Sequence, residues 1–173
     1  MEQESELRER IANELATLRR LLDTDVTAVA WKREEDNRWS WSMAVGCADD
    51  RYRSLAIRIG RGLEGSVPRI GRPLVIDDSH RDSHVKRDES PFMRVEQLLS
   101  AAAYPISGTA GVNGVLLAGS RSARTYSPDN LLVMQLSSRR LSQLKHDAGA
   151  LTPASPGTSY DIIEAKKGDE ASS

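Results

Sequence analysis

The sequence predicts an α+β domain with a central antiparallel sheet and helices on its faces. Apolar residues recur at helical spacing near both ends of the chain. The strands expected between these helices are neighbours in sequence, joined by short polar or glycine-rich turns, which is typical of antiparallel hairpins. The 173 residues, 39% of them hydrophobic, suit one compact domain.

Composition and charge exclude several classes of function. Lys plus Arg is 24 and Asp plus Glu is 25, so a nucleic-acid binder that follows phosphates is disfavoured. Cys47 is the single cysteine, which excludes an intrachain disulfide, a cysteine-rich zinc site and a thiol pair. The acidic start lacks the apolar segment of a secretory signal, and no run approaches the roughly 20 apolar residues of a membrane span. We therefore expect a cytoplasmic protein without a membrane partner.

The first predicted helix covers about the first twenty residues. Its apolar positions form one stripe, because they recur every three or four residues: Leu7, Ile11, Leu15, Leu18 and Leu22. Such a stripe can dock on the domain's own sheet or pair with a partner helix. Both alternatives remain open at this stage.

A hairpin follows the first helix. Val26 to Trp31 is apolar and β-branched, and Arg38 to Val45 alternates between apolar and small polar residues around a polar turn. Strict alternation places four side chains on one face of the second strand: Trp39, Trp41, Met43 and Val45. That face would meet the core or a cavity.

The middle of the chain predicts short elements. Arg51 to Ile59 fits a short helix leading into a strand, or a strand alone. A glycine turn, Gly60 to Gly65, then opens a helix of about two turns, which Pro68 and Gly71-Arg72-Pro73 end. Leu74 to Ile76 reads as a short buried strand. We expect a long surface loop over Asp77 to Ser90, because that segment is polar and has no periodicity.

The second half predicts two strands between two helices. Pro91 to Leu99 has helical spacing with Ser90 as its cap, and strands cover Ser100 to Ser107 and Val112 to Ser120. Asn113-Gly114 indicates a bulge or tight bend. Ser127 caps a final helix whose apolar positions include Leu132, Val133, Leu136, Leu141 and Leu144.

The composition changes after residue 148. We expect a single domain over residues 1–148 and a disordered tail over residues 149–173, rich in Pro, Ser and Gly. Tyr160 to Ile163 fits a short docking motif or part of a solvated tail.

The glycine turn is the first candidate site. Gly60-x-Gly62-x-x-Gly65 matches the dinucleotide fingerprint, but the following helix is too short and the βαβ order is missing. The first amides of a helix are nevertheless unpaired donors at the positive end of its dipole, so a small anion fits there without a cationic side chain. The alternative is that these glycines only make a turn.

Other chemistry-bearing residues are weaker candidates. His80 and His84 lie near Asp77, Asp78 and Asp82, which are metal-ligand types, but a solvated loop is favoured and His146 lies on a remote helix. Cys47 has no evident partner for nucleophilic catalysis. Among the tryptophans, Trp31 fits the core, whereas Trp39 or Trp41 fits a cavity wall.

Several motifs in combination resemble the GAF domain superfamily over roughly Leu7 to Leu144. They are Gly60-Arg61-Gly62-Leu63-Glu64-Gly65-Ser66-Val67, Gly71-Arg72-Pro73-Leu74-Val75-Ile76-Asp77-Asp78, Ala101-Ala102-Ala103-Tyr104-Pro105-Ile106 and Gly114-Val115-Leu116. Within that superfamily the chain looks most like stand-alone nitrate receptors of the NreA type. The carriers of that likeness are Trp39-Ser40-Trp41, Val45-Gly46 and Arg51-Tyr52, leading to Leu55 and Ile57.

The resemblance implies a GAF-like sheet with packed terminal helices and a pocket for nitrate or nitrite. Trp41 would be a wall, the amides of Leu63 and Glu64 beside Gly65 would be donors, and Tyr104-Pro105-Ile106 would be the opposite side. It also implies signalling to a sensor histidine kinase of a two-component system, with no cofactor or metal. Glu64 stands where a small apolar residue is expected. We expect its side chain to face outward, since an inward carboxylate would repel nitrate and indicate a neutral ligand or a vacant pocket.

Three functions remain as alternatives. The first is a nitrate or nitrite sensor in which the loop from Asp77 to Ser90 closes over the ligand. The second is a reductase of free methionine sulfoxide, which needs two thiols where the chain has Cys47 alone. The third is an interaction module whose terminal helices form a homodimer or dock on a kinase. We expect a binding protein and not an enzyme.

Overall fold

The computed structural model describes residues 2–77 and 83–151. Five strands form one antiparallel sheet in the order β2-β1-β5-β4-β3. The strands are β1 (Val26–Lys32), β2 (Trp39–Val45), β3 (Leu74–Ile76), β4 (Ser100–Gly108) and β5 (Gly111–Ser120). The helices are α1 (Glu2–Leu22), α2 (Gly62–Ile70), α3 (Ser83–Asp88), α4 (Pro91–Val95) and α5 (Pro128–Leu151). The predicted α+β class is therefore confirmed.

One face of the sheet is covered by α1 and α5 and is called the terminal-helix face. Its core contains Leu15 and Leu18 of α1, Met134 and Leu141 of α5, and Leu116 of β5. These side chains are at most 1% exposed, so the α1 stripe docks on the chain's own sheet and on α5. Glu14 joins the two helices further: it pairs with Arg140 at 3.0 Å and accepts a hydrogen bond from Ser137 at 2.7 Å.

Part of the predicted α5 stripe lies on the outside. Leu132 and Leu136 are 52% and 43% exposed, whereas Met134 is fully buried. Met134 and Leu141 are seven residues apart and share the inward side of α5, whereas Leu132 and Leu136, two residues before and after Met134, point to the opposite side.

The opposite face of the sheet, called the site face, packs against α2 and α4. Its strands carry small side chains, Ala28 and Ala30 in β1 and Ala101 and Ala103 in β4, all fully buried. Short side chains leave room for Leu63 of α2 and for residues of α4 to approach the strands. The sheet thereby supplies a surface of small side chains on which the short helices pack.

A bulge in β2 divides its side chains between the two faces. Val29 pairs with Met43 and Ala30 pairs with Trp41, so Ser42 is the extra residue. Trp39 and Trp41 consequently pack on the site face, while Met43 and Val45 pack on the terminal-helix face. The prediction that all four share one face is wrong, because it assumed an unbroken alternation.

Other boundaries are confirmed or corrected by local geometry. The predicted bulge near Asn113 is confirmed, since Ile106 pairs with Gly114 and Ser107 pairs with Val112. The segment Arg51–Ser54 is a 3-10 turn, followed by one bridge between Ala56 and Ser40 in place of a regular strand. The short helix of the first alternative is therefore confirmed as one 3-10 turn, whereas the regular strand that both alternatives expected is wrong.

The segment between β3 and β4 also differs from expectation. It contains the helix α3 where a loop was predicted, and α4 ends at Val95 because Gln97 takes a left-handed φ of 57°. Helix α5 continues to Leu151, beyond the predicted boundary at residue 148. The predicted tail from residue 152 onward lies outside the described residues, as does the Tyr160 to Ile163 motif.

Candidate ligand-binding site

Glycines set the entry of α2. Gly60 and Gly62 have φ of 92° and 68°, conformations that L side chains rarely adopt. A Cβ on Gly65 would lie 2.0 Å from the Arg58 carbonyl oxygen, and one on Gly62 would lie 2.7 Å from that of Glu89. The glycines are therefore required by close backbone approach, and they bring the start of α2 against the residues that precede α4.

The start of α2 presents backbone donors. Its N-cap residue, Arg61, supplies no side-chain hydrogen bond, and the first helical bond runs from Gly65 to Arg61 at 3.2 Å. The amides of Gly62, Leu63 and Glu64 thus have no backbone acceptor within the helix. The helix is nine residues long, so its dipole adds to these donors.

The Glu64 side chain points into the protein. It is 1% exposed, and the expectation that it faces solvent is therefore wrong. Its carboxylate accepts hydrogen bonds from the Ser90 hydroxyl at 2.6 Å and the Phe92 amide at 3.2 Å. The backbone amide of Glu64 itself also donates to it. A polar side chain is thus held between the first turns of α2 and α4.

The first turn of α4 needs this carboxylate. Pro91 has no amide hydrogen, the Met93 amide donates to the Ser90 hydroxyl at 3.1 Å, and the Phe92 amide donates to Glu64. Every amide at the start of α4 is therefore satisfied or missing. Glu64 acts as a built-in acceptor for a helix on a different segment of the chain.

The electrostatics of Glu64 combine opposing effects. Burial raises the pKa of the Glu64 carboxyl, whereas the hydrogen bonds from Ser90, its own amide and Phe92, and the charge of Arg94, act in the opposite direction. A cleft of about 270 Å³ lies in front of the carboxyl. Besides Glu64, the cleft is lined by Ala56, Arg58, Arg61, Asp88, Glu89, Pro91 and Arg94.

Trp41 contributes an unpaired donor to the same core. The side chain is 3% exposed, and its ring packs on Phe92 with centroids 4.4 Å apart. Among the described residues, its Nε1 has no hydrogen-bond partner. A buried donor without an acceptor costs about 1–3 kcal/mol, so an acceptor bound here would relieve a standing penalty.

The structure brings together part of the predicted site. Trp41 and Leu63 share the site-face core, and Glu64 and Gly65 lie in the first turns of α2. Tyr104 and Ile106 instead pack on the terminal-helix face, because alternate residues of β4 point to opposite sides. The predicted opposite wall is wrong for these two residues.

Pro105, the remaining residue of the predicted opposite wall, does lie on the site face, because it pairs with Val115 of β5, which is part of that core. Sequence reasoning missed Ser90 and Phe92, which contact Glu64 directly. The capping signal of Ser90 was visible, but nothing in the sequence tied it to α2.

The remaining candidates do not assemble into a site. Burial, together with the neighbouring Glu96 carboxylate, raises the pKa of the half-buried Cys47 thiol to about 12, which disfavours a thiolate nucleophile. His146 is exposed on α5. His80, Asp78 and Asp82 lie outside the described residues. Within residues 2–77 and 83–151, no cluster of three His, Cys, Asp or Glu side chains could hold a metal.

Comparison with known proteins places this architecture in a family. The GAF domain profile matches residues 6–144, and the chain belongs to the GAF domain family. No curated protein sequence matches the chain. None of the described helices is long and apolar enough to cross a membrane.

Solved structures show likeness at two levels. A Staphylococcus aureus NreA protein mutated in its nitrate-binding site shares 26% identity, with a TM-score of 0.59 over 68% of this chain and 87% of that one. A second such NreA structure shares 25% identity, with a TM-score of 0.61 over 72% and 97%. The free methionine-R-sulfoxide reductase of Neisseria meningitidis shares 16%, with a TM-score of 0.67 over 84% and 81%, a likeness of fold alone.

Proposed function

We propose that this chain is a cytoplasmic, ligand-binding regulatory domain for a small oxyanion, with nitrate as the first candidate and nitrite as the second. The carrying observation is the unpaired Trp41 Nε1, a buried donor in the core that also holds Leu63. Nitrate offers three acceptor oxygens, and the amides of Gly62 and Leu63 have no acceptor within α2. The likeness to NreA supports the same ligand.

The recognition would rely on dipoles and not on a cationic side chain. Trp41 shares a buried apolar core with Leu63, Phe92 and Met93, and in such a setting an amide or indole donor is worth more than in water. A planar monovalent anion fits these donors, whereas a divalent tetrahedral one carries a larger desolvation cost. We therefore expect selectivity for nitrate over sulfate.

Binding chemistry is favoured over catalysis. The raised pKa of Cys47 keeps its thiol protonated near neutral pH, and reduction of methionine sulfoxide needs a reactive thiolate. A bound oxyanion can signal by favouring one arrangement of α2, α3 and α4. We propose a sensor histidine kinase of a two-component system as the partner that reads this arrangement.

A protein-interaction role is a second candidate, which can coexist with ligand binding. Leu132 and Leu136 lie one turn apart on α5 and are exposed, so they offer an apolar contact for a homodimer or a kinase helix. Changing both to Glu should leave the fold intact. If the chain dimerises through this surface, the variant will elute as a monomer, and an unchanged elution volume would contradict the homodimer.

Calorimetric titration of the full chain with potassium nitrate, over a range of pH, tests the proposed function. We expect nitrate to bind, sulfate to bind much more weakly, and Trp41→Phe to lose about tenfold in affinity because it keeps the ring but removes the donor. Trp39→Phe is the matched control on the same strand. Absence of both heat and thermal stabilisation in excess nitrate, at every pH and in variants that neutralise Glu64, would reject the function.

A further inference from the structure

We propose that Glu64 is a resident acceptor that occupies part of the oxyanion site, so that an external oxyanion binds only to the form in which Glu64 carries a proton. This inference rests on the proposed function. It assigns Glu64 a specificity-determining role: the side chain decides under which conditions the site accepts an anion.

The Glu64 carboxylate already makes the contacts that a bound oxyanion would make. A carboxylate and two of the three oxygens of nitrate are alike in being planar, negatively charged and acceptor-only. Here the carboxylate is 1% exposed and is held by one hydroxyl and two backbone amides, one of which starts α2. The Glu64 amide is the next donor of α2 after those of Gly62 and Leu63, so an incoming anion and the ionised Glu64 would compete for this amide and for the Ser90 hydroxyl.

The charges around Glu64 do not neutralise it directly. Among the described residues, Glu64 has no ion pair with Arg or Lys, although the charge of Arg94 acts on it from α4. The other charged groups that line the cleft are Arg58 before α2, Arg61 at its N-cap, Asp88 at the end of α3 and Glu89 just after it. An anion in contact with the ionised carboxylate would be repelled by it. In a site so far removed from water, this repulsion would lower the affinity for the anion by about a hundredfold or more.

Protonation of Glu64 rearranges its hydrogen bonds and frees one donor, the Ser90 O–H. The neutral acid keeps one oxygen as acceptor for the Phe92 amide, and its new O–H donates to the Ser90 hydroxyl oxygen. That oxygen also accepts from the Met93 amide, and a hydroxyl can accept twice. The O–H of Ser90 then points away from Glu64 and can donate to the oxyanion.

A specific pH dependence follows. Above the pKa of Glu64, each nitrate must bring one proton to the site, so affinity falls about tenfold for each unit of pH. Below that pKa, affinity reaches a plateau. Burial raises this pKa from its ordinary value, which moves the transition to higher pH.

Potassium nitrate titrations of the full-length wild type, Glu64→Gln and Glu64→Ala, from about pH 5 to about pH 8, test the inference. We expect wild-type affinity to fall with rising pH, and both variants to bind at every pH with about the affinity of the wild type at low pH. Glu64→Gln is nearly isosteric, while Glu64→Ala opens the site without an amide. Glu35→Gln, an exposed site in the β1–β2 turn, is the control and should behave as wild type.

The possible failures are distinguishable. If wild type and both variants bind nitrate with the same affinity at every pH, Glu64 is not a competitor and this inference is overturned, while the proposed function stands. If no form binds nitrate at any pH although thermal melts show folded protein, the proposed function fails and this inference fails with it.

Discussion

The two faces of the sheet are built differently. On the terminal-helix face, two long helices bury a continuous apolar stripe, and polar contacts such as Glu14–Arg140 lie at the edge. On the site face, two helices of nine and five residues bury a carboxylate and an unpaired indole N–H. Apolar packing stabilises the first face. Buried polar groups cost stability unless they are paired, as Glu64 is, and an unpaired one such as the Trp41 Nε1 is a candidate for contact with a ligand. We therefore place the proposed function on the site face.

The largest expected effect is on the terminal-helix face. Leu18→Ala should lower the free energy of unfolding by about 2–5 kcal/mol, because Leu18 is 1% exposed and truncation leaves a cavity. Leu132→Ala, on the exposed side of α5, should stay within about 0.5 kcal/mol of wild type. Urea unfolding of both variants measures this, and equal losses would show that the stripe assignment is wrong.

A smaller loss is expected where glycine shapes the site face. Gly65→Ala should destabilise the protein by about 1–3 kcal/mol, since the new methyl group would collide with the Arg58 carbonyl and push α2 outward. Nitrate affinity should fall with it. Gly71→Ala is the control: nothing lies within 4 Å of its Cβ, and only its left-handed φ of 72° costs about 1 kcal/mol. A Gly65 variant as stable as the Gly71 variant would argue against this tight entry.

The contact between Ser90 and Glu64 should account for a comparable or slightly smaller effect. Ser90→Ala removes the cap of α4 and a hydrogen bond to a buried carboxylate, which costs about 1–2 kcal/mol. It should also raise the pKa of Glu64 further, because a hydrogen bond that favours the ionised form is lost. Ser90→Thr keeps the hydroxyl and should recover most of the stability. Equal unfolding free energies for both variants would contradict this role of the hydroxyl.

The smallest effect concerns stability against pH. The pKa of Glu64 is raised in the folded state, so this group stabilises the fold most below its unfolded pKa, and that contribution falls as pH rises through the folded pKa. The stability of wild type relative to Glu64→Gln should therefore decrease from about pH 4 toward neutral, by about 1.4 kcal/mol for each pH unit that separates the unfolded pKa from the folded pKa. Denaturant unfolding across this range measures the difference, and a difference that grows with pH would have the wrong sign.

Sequence patterns predicted the terminal-helix face better than the candidate site. The α1 stripe, the hairpins and the Ser127 cap are local and repetitive, so periodicity and turn chemistry were sufficient. The Ser42 bulge was invisible, because the alternation of Trp and Ser continues through it. The orientation of Glu64 depends on Ser90 and Phe92, which are 26 and 28 residues away. No local pattern carries that pairing. Tyr104 and Ile106 were misplaced for a different reason: a wall made of three consecutive strand residues ignores the alternation of side chains along β4.

The pKa of the Glu64 carboxyl, followed by carbon-13 NMR with and without excess potassium nitrate, tests most directly whether this side chain controls the site. We expect a value above that of an ordinary glutamate in the free protein, and a further rise when nitrate is present, because the anion favours the protonated acid. An ordinary or lowered pKa that nitrate does not move would contradict a shared site for Glu64 and the oxyanion.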